Sequence, residues 1–486
     1  MASPPPADVD LGKLSYEIFS LLESKFLFGG GGGVASVPGT PGRPGLAGEE
    51  RGRVRVLSID GCGPGPGDAL LAAAALARLE AALRARSGDP DARVADFFDA
   101  AAGAGAGGVL AAMLFLKGGD GRARYSAADA LAFVAASLGK GGGGWGSGVG
   151  GGGGRRGSRW AALLFRRFSS SDRSSSPSLR RVFGDATLRD TVAPLLVPCY
   201  DLATAAPFLF SRADAVESDS FDFRLRDVCA ATCAAGGAAA APAVRSVDGR
   251  TAIAAASGGV AAMGNPAAAA ITHVLHNKQE FPLAAGVDDL LVVSIGSGSS
   301  AGGAAAAPVA GWRTPMPPRS PSPAEMVRLT AEGVADMVDQ AVAMAFGHTC
   351  GRNYVRIQVG DYAASPACSG KALSSLDAKK AVAVADGMLT QRNVEAELFR
   401  GRRLSEKSNR EKLDAFAAEL VKEHERRARS PGLPNVVIKQ AAAVANATPR
   451  PSSATTASSA TTAATGRSTT ASSTIPSPAS QGSYRC

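Results

Sequence analysis

Hydrophobic and polar positions change period several times along this chain. Between residues 9 and 28, Leu11, Leu14, Ile18, Leu21, Leu22 and Phe26 recur at three- and four-residue steps. Asp10, Lys13, Glu17, Glu23 and Lys25 fall mostly between them, the pattern of an amphipathic helix. Such a helix either packs as a lid on the main domain or lies on a membrane surface. Poly-Gly 29–33 and a Pro/Gly stretch to about Gly45 then read as a linker.

From Arg53 the pattern becomes that of alternating strands and helices. The β-branched run Val54–Ile59 reads as a buried strand, ends in a glycine-dense turn at 60–67, and feeds a helix at about 68–87. A second unit comes at once, with a strand at 97–102, a glycine turn at 103–108 and a helix at 109–116. Two such units in succession predict an α/β fold with a mainly parallel sheet, its ligand-binding turns at the carboxyl edge. Leu188–Leu196 resumes the regular pattern, Val244–Val247 reads as a short strand closed by Asp248-Gly249, and Leu290–Ile295 as a buried strand. Helices are predicted over about 324–346, 376–400 and 408–428.

Composition changes this picture in two places. Gly and Pro make up about 18 % of the 486 residues, too little to mark the whole chain as low-complexity. They concentrate in the linker and in a Gly/Arg/Ser insert at 138–180, while 447–486 is a Ser/Thr/Ala/Pro tail expected to be disordered. The organisation expected is 1–50, helix and linker; 51–430, one α/β domain whose motifs lie in 54–270; and 431–486, tail. The net charge of +9 is also local: no acidic residue comes after Glu425, and Arg155 to Arg181 holds eight arginines against Asp172 alone. Single-sign blocks favour polyanions. Arg155–Phe168 mixes its arginines with Trp160, Leu163, Leu164, Phe165 and Phe168, as in a segment drawn to an anionic membrane surface. No nucleic-acid reader fold accompanies it, so no nucleic-acid partner is expected.

Seven scattered cysteines without CxxC spacing predict reduced thiols, and neither they nor the four histidines form a metal-ligand pattern. No cofactor and no metal are expected. The N-terminus has no basic and apolar leader, and the longest apolar run, Ala100–Leu116, falls short of the ~20 residues of a membrane span. A cytoplasmic protein, soluble or peripheral to a membrane, is expected.

Two turns could do chemistry. In the first, a strand running into glycines exposes several backbone N–H groups toward one point, which suits a phosphate or a developing oxyanion. Its glycines at 61, 63, 65 and 67 fit neither the dinucleotide fingerprint nor a P-loop, and the usable donors include Gly61, Cys62 and Gly63. The second turn has the frame of a nucleophile elbow, Gly103-Ala104-Gly105-Ala106-Gly107, but no hydroxyl at its centre. The one GxSxG in the chain, Gly298-Ser299-Ser300-Ala301-Gly302, leads into Gly303 and an alanine run that make a poor elbow helix. His273 and His276 lie three apart on a helix with only Glu280 nearby, which favours a structural role.

These residues resemble the patatin family, and closely the plant patatin-related phospholipase A group III, whose members show GxGxG for GxSxG. The matching stretches are Leu57–Gly63, the elbow with Gly107-Gly108, Ser257-Gly258-Gly259-Val260 leading to Asn265-Pro266, Ala270–Pro282, and the strand into Ser294-Ile295-Gly296. The resemblance implies a patatin-like three-layer sandwich and a lipid acyl hydrolase acting on phospholipid or galactolipid. It places Gly105 at the nucleophile position and Ser257 at the position of the dyad Asp. Gly61, Cys62 and Gly63 stand in the oxyanion turn, and Gly103, Gly105 and Gly107 form the elbow motif. Losing the nucleophile of a serine hydrolase removes on the order of 10⁶ in kcat. Two readings therefore stand beside each other: a hydrolase with a degenerate dyad, and a lipid-binding pseudoenzyme in membrane signalling.

Overall fold

The computed structural model describes residues 52–61, 67–138, 177–233, 243–256, 263–296, 320, 323–359, 378–397, 401–429 and 436–438. In chain order the strands are β1 (Val54–Ile59), β2 (Ala100–Gly103), β3 (Leu195–Asp201), β4 (Ala206–Ser211), β5 (Ala243–Arg245), β6 (Ala252–Ala256), β7 (Leu290–Ile295), β8 (Tyr354–Ile357), β9 (Arg392–Glu397) and β10 (Gly401–Ser408). The helices are α1 (Gly67–Ser87), α2 (Gly105–Phe115), α3 (Ala127–Leu138), α4 (Pro177–Phe183), α5 (Arg212–Glu217), α6 (Leu225–Thr232), α7 (Ala267–His276), α8 (Pro323–Phe346), α9 (Ala378–Thr390) and α10 (Asn409–Arg429).

Eight strands form one sheet in the order β5-β6-β3-β2-β1-β7-β8, with β4 also paired to β3. The five from β3 to β8 are parallel, while β4 and β6 run antiparallel to β3. Every residue of β1 and β7 is buried, as expected for strands covered on both faces. Alternation along β1 divides the core. Leu57 and Ile59 pack with α1, α2, α6, α9 and α10, whereas Val54 and Val56 pack with α7, Phe281 and the end of α8. The result is an α/β fold with a mainly parallel sheet, the class that the strand–turn–helix pattern predicts, layered as the three-layer sandwich that the resemblance implies.

Several elements differ from expectation. The second strand begins at Ala100, not at Phe97, because Val94–Phe97 forms a short 3-10 turn; the Asp96 carboxylate accepts from the Arg93 N–H at its start. The next helix begins within the glycine turn, at Gly105, four residues before the expected Val109. Residues expected to continue a helix to 400 instead leave it at Thr390 and form β9, which pairs with β10. Asn393 explains the change: its side-chain oxygen accepts from the Gln358 N–H and its amide donates to the Arg356 carbonyl, tying the chain to the end of β8. The short strand is Ala243–Arg245, and α4 occupies the last residues of the expected insert. The expected helix 9–28, the basic segment 155–168 and the tail from 447 lie outside the described residues.

Candidate functional site

The carboxyl ends of β1 and β2 carry the two glycine turns, and the structure brings them into contact. Ala104 is extended, Gly105 opens α2 with φ of +51°, and the chain turns sharply between strand and helix. A nucleophile elbow has that shape, and the strain of a positive φ is one reason for glycine here. Close approach is the other. A Cβ on Gly61 would lie 1.8 Å from the Ala104 carbonyl oxygen, and one on Gly103 would lie 2.4 Å from that of Gly107. On Gly107 it would meet the carbonyl oxygens of Ile59 and Asp60, each at 2.5 Å. These distances leave no room for a side chain.

Gly105 is approached just as closely. A Cβ there would lie 2.5 Å from the Gly61 carbonyl oxygen. The backbone of Gly61 closes over Gly105, so a side chain there requires a shift of backbone, not the filling of a gap. Beneath it the Gly105 N–H donates to Thr232 Oγ1 at 2.9 Å, and that hydroxyl donates to the Pro198 carbonyl at 2.7 Å. Thr232, fully buried at the end of α6, thus holds the elbow from below.

Gly61 is held from a further side. The Gly61 N–H donates to the Gly264 carbonyl at 3.2 Å. The next residue, Asn265, is buried; its Oδ1 accepts from the Ala267 N–H and its amide donates to the Ala335 carbonyl of α8. Cys62, Gly63 and Ser257 lie outside the described residues, Ser257 immediately after β6. The same holds for Ser300. Ala106, which sequence reasoning does not single out, stands in the first turn of α2, where N–H groups have no intrahelical acceptor. The residue after a nucleophile supplies such an N–H to an oxyanion hole.

Behind the turns lies a buried polar cluster that sequence spacing does not disclose. Asp60 Oδ2 pairs with Arg356 Nη2 at 2.6 Å, and Arg356 Nη1 donates to Ser294 Oγ at 2.6 Å. Asp339 of α8 stands 3.8 Å from Arg356 Nε and accepts from the Tyr354 hydroxyl at 2.6 Å. Ser58, Ser294 and Arg356 occupy matching positions on β1, β7 and β8, forming a polar row across three strands. Asp60 Oδ1 and Ser58 Oγ are buried without a hydrogen-bond partner. Burial pushes the Asp60 carboxyl up to about 6, outweighing the attraction of Arg356.

The other singled-out groups serve packing. The ring of His273 meets Phe281 edge-on, while His276 is exposed. His424 packs on Phe97, and burial with Arg55 nearby lowers its pKa. Cys199, Cys229 and Cys233 are buried free thiols, with Cys199 pushed up to about 12 mainly by burial, so they are poor nucleophiles. Among the described residues no group of three or more His, Cys, Asp or Glu could hold a metal ion, and no helix is long and apolar enough to cross a membrane.

The patatin-like phospholipase family model matches residues 57–271, a span that includes both glycine turns. Patatin-like protein 3 of Oryza sativa subsp. japonica is 55 % identical over 419 residues, covering 85 % of this chain and 92 % of its own length. The chain belongs to the patatin-like phospholipase family. Patatin-like protein 7 of Arabidopsis thaliana is 45 % identical, over 89 % of this chain and 85 % of its own. A third patatin-like relative, the Arabidopsis thaliana protein named Probable inactive patatin-like protein 9, is 38 % identical over 85 % of this chain and 94 % of its own.

Proposed function

We propose that this patatin-like protein hydrolyses acyl esters of phospholipid or galactolipid without an acyl-enzyme at position 105. Water is the attacking group. Its oxygen adds to the ester carbonyl, the carbon–oxygen bond to the lipid alcohol breaks, and the alcohol leaves with a proton from that water. The carbonyl oxygen, negative in the transition state, takes hydrogen bonds from the oxyanion turn (Cys62 and Gly63, with Ala106 of α2). The observation that supports this reading is the close contact of Gly61 with the Gly105 elbow, which fixes the carboxyl ends of β1 and β2 against each other. Donors fixed in advance retain on the order of 10³–10⁴ over water when the nucleophile of such a site is gone.

A second reading, lipid binding without turnover, has its own observation: a Cβ at 105 would lie only 2.5 Å from the Gly61 carbonyl oxygen, and position 257, to which the resemblance assigns the dyad Asp, is Ser. Fatty-acid release from mixed phospholipid and galactolipid vesicles separates the two. The hydrolase reading expects slow release that a serine-directed fluorophosphonate leaves untouched. Vesicle binding with no release from any lipid would leave the binding reading alone.

A further inference from the structure

The polar cluster behind the glycine turns is built around one arginine. Arg356 starts on β8, yet its guanidinium passes β7 and reaches the end of β1, two strands or about 10 Å away. Its Nη1 donates to Ser294 Oγ and its Nη2 to Asp60 Oδ2, each at 2.6 Å. Nη2 also meets Gln358 Oε1 at 3.4 Å, and Nε lies 3.8 Å from Asp339. Gly296, the residue after β7, leaves room for this fork. A Cβ there would lie 1.5 Å from Gln358 Oε1 and 3.0 Å from Arg356 Nη2.

Asp60, which receives the arginine, is where the chain leaves the sheet for the first glycine turn. Its N–H donates to the Ile295 carbonyl at 2.9 Å, and its own carbonyl oxygen would lie 2.5 Å from a Cβ on Gly107 of the elbow. Only Oδ2 of its carboxylate is engaged; Oδ1, like Ser58 Oγ two residues earlier, is buried without a partner. Replacing a buried ion pair by well-packed apolar side chains is often neutral or stabilising, so stability alone does not account for this cluster. Its place does.

We propose that Arg356 is a positioning residue for ester hydrolysis at this site: by gripping Asp60 it sets Gly61, and the N–H groups after it, where they meet a developing oxyanion. The proposal rests on the hydrolase reading. The grip depends on a proton, because Asp60 titrates at about 6. Asp336 and Asp339 of α8 also face it, and the Tyr354 hydroxyl of β8 donates to Asp339. On the other elements packed there, β2, β7 and α2 carry no titratable group, and α7 carries only His273, against Phe281, and exposed His276. Protonating Asp60 removes the ion pair, so the turn is held above pH ~6 and loosened below it.

The test measures kcat and KM for a soluble short-chain ester from about pH 5 to 8, with circular dichroism checking each fold. The variants are Arg356→Met, Arg356→Lys and Asp60→Asn; the last keeps the side-chain shape, so the test stands if the methionine variant does not fold. A misplacement of about 1 Å costs on the order of 10²-fold, so Arg356→Met and Asp60→Asn should each lower kcat by roughly that factor, with KM within about twofold. Arg356→Lys keeps the charge without the fork and should recover part of the loss. Wild-type kcat should fall as pH drops through about 6, and the Met and Asn variants should lose that fall. Full kcat in Arg356→Met at any pH overturns the proposal, as does an unchanged fall in Asp60→Asn.

Calorimetry with methyl octylphosphonate, a stable anion shaped like the transition state, reads the turn without turnover. Charge alone predicts tighter binding at neutral pH when Asp60 becomes Asn, whereas lost positioning predicts binding weaker by about tenfold or more. Unchanged or tighter binding by Asp60→Asn, or a wild type that does not bind, overturns the proposal. Asp60-dependent phosphonate binding with no ester cleavage by the wild type removes the hydrolase reading and leaves the positioning of the turn standing.

Discussion

The two ends of the central parallel strands each bury an aspartate against arginine, and they treat it in opposite ways. At the amino end, Asp99 precedes β2 and is fully engaged. It pairs with Arg55 at 3.0 Å and with Arg427 at 2.7 Å, and also accepts from the Arg55 N–H. Burial alone would raise its pKa, but Arg55 and then Arg427 hold it well below the usual carboxylate range. At the carboxyl end, Asp60 has one oxygen on Arg356 and the other without a partner, and burial wins. Paired charge with every oxygen used makes a clamp between β1 and α10. Strained glycines, orphaned polar atoms and a raised carboxyl mark the end where the proposed site lies.

The largest test of this contrast is Asp99→Asn. It leaves Arg55 and Arg427 facing each other with the charge between them removed, and should cost about 3–5 kcal/mol, read from urea denaturation. Gly107→Ala comes next. Its Cβ meets two backbone carbonyls that cannot rotate away, so a loss of about 2–3 kcal/mol is expected, and a neutral result would mean that the turns slide apart freely. Thr232→Val keeps the shape but leaves the Gly105 N–H and the Pro198 carbonyl unbonded, for about 1–3 kcal/mol.

The last test is of pH dependence, whose sign separates the two ends. Asp99 is held below its unfolded value, so its contribution is present above pH ~4 and lost as pH falls below that. Asp60, at about 6 in the folded chain against 3.8 unfolded, is the reverse. Between pH ~4 and ~6 the folded state holds a proton that the unfolded chain has released, so this group makes stability fall as pH rises through that window. Asp60→Asn should remove that decline while the loss of stability below pH ~4 persists. An unchanged profile between 4 and 6 would show that Asp60 titrates normally.

A feature is legible in the sequence to the extent that its causes are local. β1 and β7 are uninterrupted buried runs, so sequence pattern finds them to the residue. The glycine frame is legible for a similar reason, since only glycine fits the close approaches between neighbouring turns. Local pattern reads β9 as helix because Arg392–Glu397 owes its form to Asn393 reaching back to Gln358 and Arg356, some 35 residues earlier. Asp60 and Arg356 are 296 residues apart, and no local spacing joins them. The closing of Gly61 over position 105 is equally a product of the fold: sequence shows a glycine there, and only the structure shows that the Gly61 carbonyl leaves no room for a side chain.

The central claim is that this elbow is shut to a nucleophile. Gly105→Ser combined with Ser257→Asp puts Ser and Asp at the two positions that the resemblance assigns to a dyad, and fluorophosphonate labelling of the folded variant reads the result. No label at position 105 is predicted, because the Gly61 carbonyl lies 2.5 Å from where the serine Cβ would stand. Stoichiometric labelling at that position would contradict the account and show an elbow that opens to admit a side chain.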